Sequence, residues 1–251
     1  MKNKKNIGLF AAAALVGLSV MACSWYSAEP PPFVALPTPE EYFEVNAHDV
    51  GMWIVGEWTI FPSGTVITGL SALGENAGLT ELNIPPTINR TAITAIGSSA
   101  FAGESNANRG PLATVIIPDG VQAIFETAFM NNSLTEVTIP DGVQAIGHSA
   151  FMNNFLTEVT IPGSVQGITD NAFMNNSLAE VIISASVQNI GAWAFADNPE
   201  LAKVTFMINP TVIHVSTFTP NGGNIVDGLQ NVTTPPPFVF VRVGQGWVLE
   251  D

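Results

Sequence analysis

The stretch "MNNSLTEVTIPDGVQAIGHSAF" (Met130–Phe151) runs without a gap into "MNNFLTEVTIPGSVQGITDNAF" (Met152–Phe173), and 15 of the 22 positions are identical. Aligned on the leucine of "LTEV", copies begin at Leu112, Leu134, Leu156 and Leu178, each 22 residues apart, and at Leu201 after one inserted residue. An earlier, longer copy runs from Leu79 to the start of the next at Leu112, its excess lying around "PTINRT" and "GESNANRG". A degenerate copy is expected near Trp58, in "EWTIFPSGTVITGL". Self-similarity at a fixed period of this size marks a stacked repeat architecture, and it decides the fold before any local reading.

Each part of the unit has a physical reading. Val137 and Ile139 are two apart, so both face one side of a strand. Pro140 ends that strand because it has no N–H for a ladder. "PDG" (Pro140–Gly142) is turn chemistry. "VQAI" places apolar residues three apart, which predicts a short, bent second strand at a corner. "SAFMNN" predicts a short helical or 3₁₀ turn, with Ala150 small where the backbone curls and Phe151 in the core.

A lone unit buries too few apolar side chains to offset the ordering of its backbone, so the copies fold only against one another. Stacking puts equivalent residues in columns about 4.8 Å apart. Phe101, Phe129, Phe151, Phe173 and Phe195 are expected to form an aromatic spine. Asn132, Asn154, Asn176 and Asn198 form an asparagine column, and Gln122, Gln144, Gln166 and Gln188 a glutamine column. Both polar columns are expected to make structural hydrogen bonds between coils.

The motif "LTEVTIPDGVQAIGHSAFMNN" resembles the BspA-type leucine-rich repeat of bacterial surface proteins, over Leu79 to about His214. The resemblance implies a β-rich (α/β-type) right-handed leucine-rich-repeat solenoid with a parallel sheet on its concave side. It implies about 22 residues per coil and about five to seven coils. It further implies a surface adhesin for host matrix proteins or other bacteria that is not an enzyme and carries no cofactor. The chain departs from the family in being short and very acidic.

The flanks divide the chain further. Residues 1–22 read as an export signal: Lys2, Lys4 and Lys5, then the apolar run "IGLFAAAALVGLSVMA" (Ile7–Ala22), shorter than the roughly 20 residues of a membrane span. Cys23 is the only cysteine, so no disulfide forms within the chain. "VMAC" (Val20–Cys23) resembles the bacterial lipobox, although Met21 is bulkier than usual there. That resemblance implies cleavage before Cys23, lipidation of its thiol and a firm membrane anchor. The alternative is an inert cysteine that happens to follow a signal. Ser24 is not the aspartate that retains many lipoproteins at the inner membrane, which favours the outer membrane and the cell surface. Residues 23–50, with five prolines between Pro30 and Pro39, read as an extended tether. Residues 51–78 read as an N-terminal cap with the degenerate repeat, and 79–214 as the repeats. Residues 215–251 read as a C-terminal loop and β-hairpin cap, the hairpin being "FVFVRVGQGWVLED".

The chain has 7 Lys and Arg against 21 Asp and Glu, so it repels phosphate backbones and nucleic acid is excluded as a partner. His48, His148 and His214 share no metal-ligand spacing, and no phosphate loop or nucleophile elbow occurs. No catalytic, cofactor or metal residue is assigned.

The informative surface is the outward side of the strands. One column reads Glu81, Thr114, Glu136, Glu158, Glu180, Lys203, and the next Asn83, Ile116, Thr138, Thr160, Ile182, Thr205. Glu81, Asn83, Ile116, Glu136, Thr138, Glu158, Thr160, Glu180 and Ile182 are therefore the candidate partner-binding residues. Consecutive glutamates at strand spacing repel by about 1 kcal/mol per pair in water. One explanation is that their charge discourages edge-to-edge aggregation. The other is that they dock a basic protein, with Ile116 and Ile182 as apolar anchors. The expected function is a lipid-anchored surface protein that binds a host matrix or bacterial surface protein. The alternatives are an envelope spacer and a hydrolase on a solenoid scaffold. The ligand, the membrane leaflet and the oligomeric state stay open.

Overall fold

Two parallel ladders, one on each side of a common core, are built from the two strand segments that each repeat contains. The computed structural model describes residues 43–46, 53–55, 58–60, 65–70, 79–103, 110–184, 186–207, 212–213, 216–219, 237–243 and 246–250, those at 43–46, 53–55, 58–60, 65, 70 and 212–213 by backbone only. All of them belong to one unit, Leu36–Asp251. The export signal, Cys23, the proline tether, His48 and His214 lie outside the described residues.

Strands β1 (Phe43–Asn46), β2 (Trp53–Val55), β3 (Trp58–Ile60) and β4 (Thr65–Leu70) precede the repeats. Then come β5 (Glu81–Asn83), β6 (Thr87–Ile88), β7 (Thr91–Ile96), β8 (Thr114–Ile116), β9 (Ala123–Ile124) and β10 (Ala145–Ile146). The later coils contribute β11 (Glu158–Ile161), β12 (Gly167–Ile168), β13 (Glu180–Ile183), β14 (Asn189–Ile190), β15 (Lys203–Phe206) and β16 (Val212–Ile213). The chain closes with β17 (Phe238–Val243) and β18 (Gly246–Leu249). No helix occurs among the described residues.

The short second strands form one ladder in the order β4-β7-β9-β10-β12-β14-β16, every pair parallel, with β1 antiparallel on its outer side. The "VQAI" segment is thus the bent second strand that its spacing predicts. The first strands stack as β5-β8 and as β11-β13-β15, also parallel. Between these stretches the ladder narrows to a bridge from Ile116 to Thr138 and to backbone bonds such as Phe155 N–H to the Leu134 carbonyl, 2.8 Å. At the C-terminal end β17 joins β15 antiparallel, and β18 pairs with β17. In the segment of the expected degenerate copy, β3 turns back on β2 as an antiparallel pair, whereas β4 enters the second ladder.

Phe101, Phe129, Phe151, Phe173 and Phe195 stack face to face with centroids 5.3–5.4 Å apart. Phe218 adds a sixth ring at 5.5 Å. Its signal is the spacing from Ile213, the same as that from Ile190 to Phe195. The substitution of Thr217 for alanine hides it.

The asparagine column performs the expected bonding. Asn154 Nδ2 donates to the Phe129 carbonyl of the preceding coil (2.9 Å) and to that of Phe151 in its own (3.1 Å), while its Oδ1 accepts the Leu134 N–H at 3.1 Å. Asn176 and Asn198 repeat this pattern one and two coils on.

The segment read as a short helical or 3₁₀ turn has the i→i+3 bonds of the latter, as a run of β-turns and not as a helix. Ala150 N–H bonds the Gly147 carbonyl, and Met152 N–H the Ser149 carbonyl. A helix cannot form there because residues with left-handed φ interrupt it. They are Thr127, Ser149, Asn171 and Trp193 at +54 to +59°, and Asn131, Asn153, Asn175 and Asp197 at +54 to +61°.

Candidate functional site: the outward face of the first-strand ladder

Alternation in the first strands sends every second residue to the core. In β11 Val159 and Ile161 are buried while Glu158 and Thr160 are exposed, and β13 and β15 alternate in phase. Parallel register aligns those outward residues. Glu158 stands opposite Glu180, which stands opposite Lys203, and Thr160, Ile182 and Thr205 run beside them. In the earlier coils Glu81 is opposite Thr114, Asn83 opposite Ile116, and Ile116 bridges to Thr138. Glu136 is exposed two residues before Thr138. The fold therefore places Glu81, Asn83, Ile116, Glu136, Thr138, Glu158, Thr160, Glu180 and Ile182 on the outward side of stacked first strands, in the two columns that the repeat alignment defines.

Glu81, Glu136 and Glu158 are exposed and Glu180 half-buried. The column ends in a cation: Lys203 Nζ lies 2.9 Å from Glu180 Oε1. The Glu180 carboxylate, by hydrogen bond and by charge, holds the Lys203 ammonium above its ordinary range. Ile116 is 51% exposed. That is unusual for an isoleucine inside a regular strand, and it gives the face an apolar point among polar neighbours.

Sequence reasoning missed the C-terminal extension of this face. Because β17 pairs with β15, Val241 stands opposite Lys203 and Val239 opposite Thr205. Val248 in β18 then stands opposite Val241 and is itself exposed. The two columns, ending in Lys203 and Thr205, thus run into a valine-lined end. The alternation in "VFVRV" (Val239–Val243) shows that one side of the hairpin is valine; nothing in it shows which strand the hairpin joins.

Among the described residues no group of three or more His, Cys, Asp or Glu side chains is placed to hold a metal ion. His148 is exposed at the position that Glu126 and Asp170 occupy in adjacent coils.

The family description "BspA type Leucine rich repeat region" matches residues 94–222 with six copies. Among solved structures, the chain is similar to a leucine-rich repeat protein from Bacteroides ovatus ATCC 8483, at 24% identity and a TM-score of 0.50 over 74% of this chain and 41% of that one. It thus spans less than half the length of that relative. It is also similar to the T. pallidum leucine-rich repeat protein, at 22% identity and a TM-score of 0.50 over 71% of this chain and 84% of that one. These likenesses concern the fold alone. No curated protein matches the sequence.

Proposed function

The chain belongs to the BspA-type leucine-rich repeat family, and on that footing we propose that its repeat solenoid is a protein-binding scaffold that mediates adhesion at the cell surface. Lipid on Cys23 anchors it to the outer membrane, and the proline-rich tether stands the repeats away from the lipid. The partner is a host matrix or bacterial surface protein that presents a basic patch. It seats on Glu136, Glu158 and Glu180, with Ile116 and Ile182 as apolar contacts. Binding is by complementarity over several coils, without chemistry.

One observation carries this reading: Glu158 stands opposite Glu180 on a ladder whose register fixes the pair there, and the exposed Glu136 and Ile116 lie on the same outward side one and two coils earlier. Like charges at strand spacing cost the folded chain free energy, and a basic partner returns it on docking. Rows of charge of this kind raise association rates most and are screened by salt.

The test compares cells displaying the native chain with cells displaying Glu136→Gln, Glu158→Gln and Glu180→Gln together, on immobilised matrix proteins and on other bacteria. The proposal expects attachment to fall and its salt dependence to flatten in the variant. Equal attachment by both would leave the spacer reading in its place.

A further inference from the structure

At the bend between the two ladders, Gln122, Gln144, Gln166 and Gln188 stand in one row. The backbone N–H groups of the last three bond the carbonyl of the glutamine one coil back, Gln144 to Gln122, Gln166 to Gln144 and Gln188 to Gln166, all at 2.8 Å, and that of Gln122 bonds the Thr94 carbonyl at 2.7 Å. Their repetition led to the expectation that the side chains bond between coils, as the asparagines do. They do not. Gln144, Gln166 and Gln188 are exposed, and no hydrogen bond among the described residues uses their amides. The sequence could not decide this, because a three-residue spacing at a corner has no strand period to tell inside from outside.

Gln122, Gln144 and Gln166 line an open trough of about 660 Å³ that extends over four coils as far as Ser186, with Asp119 and Asp141 also in its lining. Ser164 Oγ donates to the Val143 carbonyl (2.7 Å) and Ser186 Oγ to the Val165 carbonyl (3.1 Å). Ser186 Oγ also lies against the Gly163 carbonyl. Both hydroxyls spend their proton on the backbone and keep lone pairs for a ligand. The exposed column of Glu126, His148 and Asp170, by contrast, changes at every coil. The glutamine is the same in four successive coils although no hydrogen bond among the described residues uses its side-chain amide.

We propose that this trough binds an extended, uncharged glycan laid across the coils, with one sugar unit against each of Gln122, Gln144 and Gln166. A primary amide donates and accepts at once, which matches a pair of neighbouring hydroxyls, and the carboxylates accept from further hydroxyls. The amides recur at about 4.8 Å, close to the length of one pyranose in an extended β-linked chain. A polypeptide strand repeats at about 3.3 Å per residue, or roughly 6.7 Å per side chain on one face, and falls out of step with the row. Acidic polymers are repelled by Asp119, Asp141 and a net charge of −14. A second copy would match the spacing, but it would set acidic rim against acidic rim.

The test titrates the full chain with cellohexaose, chitohexaose and laminarihexaose, and with their dimers and trimers, by calorimetry. The proposal expects saturable binding of at least one hexamer, tighter than its own dimer and trimer. Gln144→Ala with Gln166→Ala removes two amide contacts and should weaken that binding roughly tenfold or more. Both side chains are exposed, so the variant should keep the native circular dichroism. Glu136→Gln, Glu158→Gln and Glu180→Gln should leave glycan binding unchanged, which separates this site from the adhesive face. No binding of any hexamer would overturn the proposal, as would binding indifferent to the glutamine substitutions. A concentration-dependent dimer lost in the double variant would assign the row to a second copy instead.

Discussion

Asn154 reaches back one coil: its Nδ2 donates to the Phe129 carbonyl, 25 residues earlier in the chain, at 2.9 Å. Its Oδ1 at the same time accepts the Leu134 N–H. Asn154→Ala therefore leaves the buried Leu134 N–H without a partner, while the Phe129 carbonyl keeps Asn132 Nδ2 at 3.3 Å and the Phe151 carbonyl keeps Asn176 Nδ2 at 3.0 Å. The expected loss is about 1–3 kcal/mol, read from urea unfolding, the cost of one buried donor left unpaired. A loss below about 1 kcal/mol would mean that the column is not a structural tie.

A second, more exposed ladder stops one coil early. Asn153 Nδ2 donates to Asn131 Oδ1 at 2.7 Å, and Asn175 Nδ2 to Asn153 Oδ1 at 2.8 Å. The next coil has Asp197, also at left-handed φ, and a carboxylate has no N–H with which to continue. Asp197→Asn should extend the ladder and add roughly 0.5–1.5 kcal/mol. Asp197→Gly accepts the same φ without an amide and should not reproduce that gain. Equal effects from the two would assign the change to backbone conformation.

Trp193 holds a left-handed φ of +54° with its side chain 48% exposed, in the column where Thr127, Ser149 and Asn171 stand. A bulky residue there is strained, and the exposed ring gains only part of what burial would return. Trp193→Asn should raise stability by about 1 kcal/mol in chemical denaturation. Destabilisation would show that the indole contributes more by packing than its backbone costs.

Lys203 interrupts the acidic column, and its ion pair with Glu180 is solvent-exposed on both sides. Lys203→Glu should lengthen the acidic row at the border with Val241. For a basic partner this raises the association rate and steepens its fall with salt, with little change in the dissociation rate. Surface plasmon resonance at two ionic strengths checks this, and a slower association at low salt would count against the adhesive face.

Much of the architecture was readable because a period is a property of the sequence. The repeat spacing places Phe129, Phe151 and Phe173 in one stack and Glu158 beside Glu180 without knowledge of any distance. What breaks the period was not readable. The pairing of Lys203 with Val241 joins a repeat to a segment outside the array, and no local signal specifies such a partner. The left-handed turn of "SAFMNN" is a second case: Ser149 and Asn153 tolerate that conformation, but Trp193 gives no hint of it. The glutamine row is a third, since repetition shows that a residue is kept in place and not which way it points.

Equivalent residues of successive coils lie one above another on a single face, and both proposed sites depend on that stacking. Nitroxide labels at Glu81→Cys and Glu180→Cys, in a chain carrying Cys23→Ser, measure it directly by pulsed electron resonance. The two sites are distant in sequence but only four coil steps apart in the stack. In-register stacking predicts a narrow distribution centred at about 20 Å. A distribution centred beyond roughly 35 Å, or one without a defined maximum, would contradict the stacked array and with it the shared face for a partner.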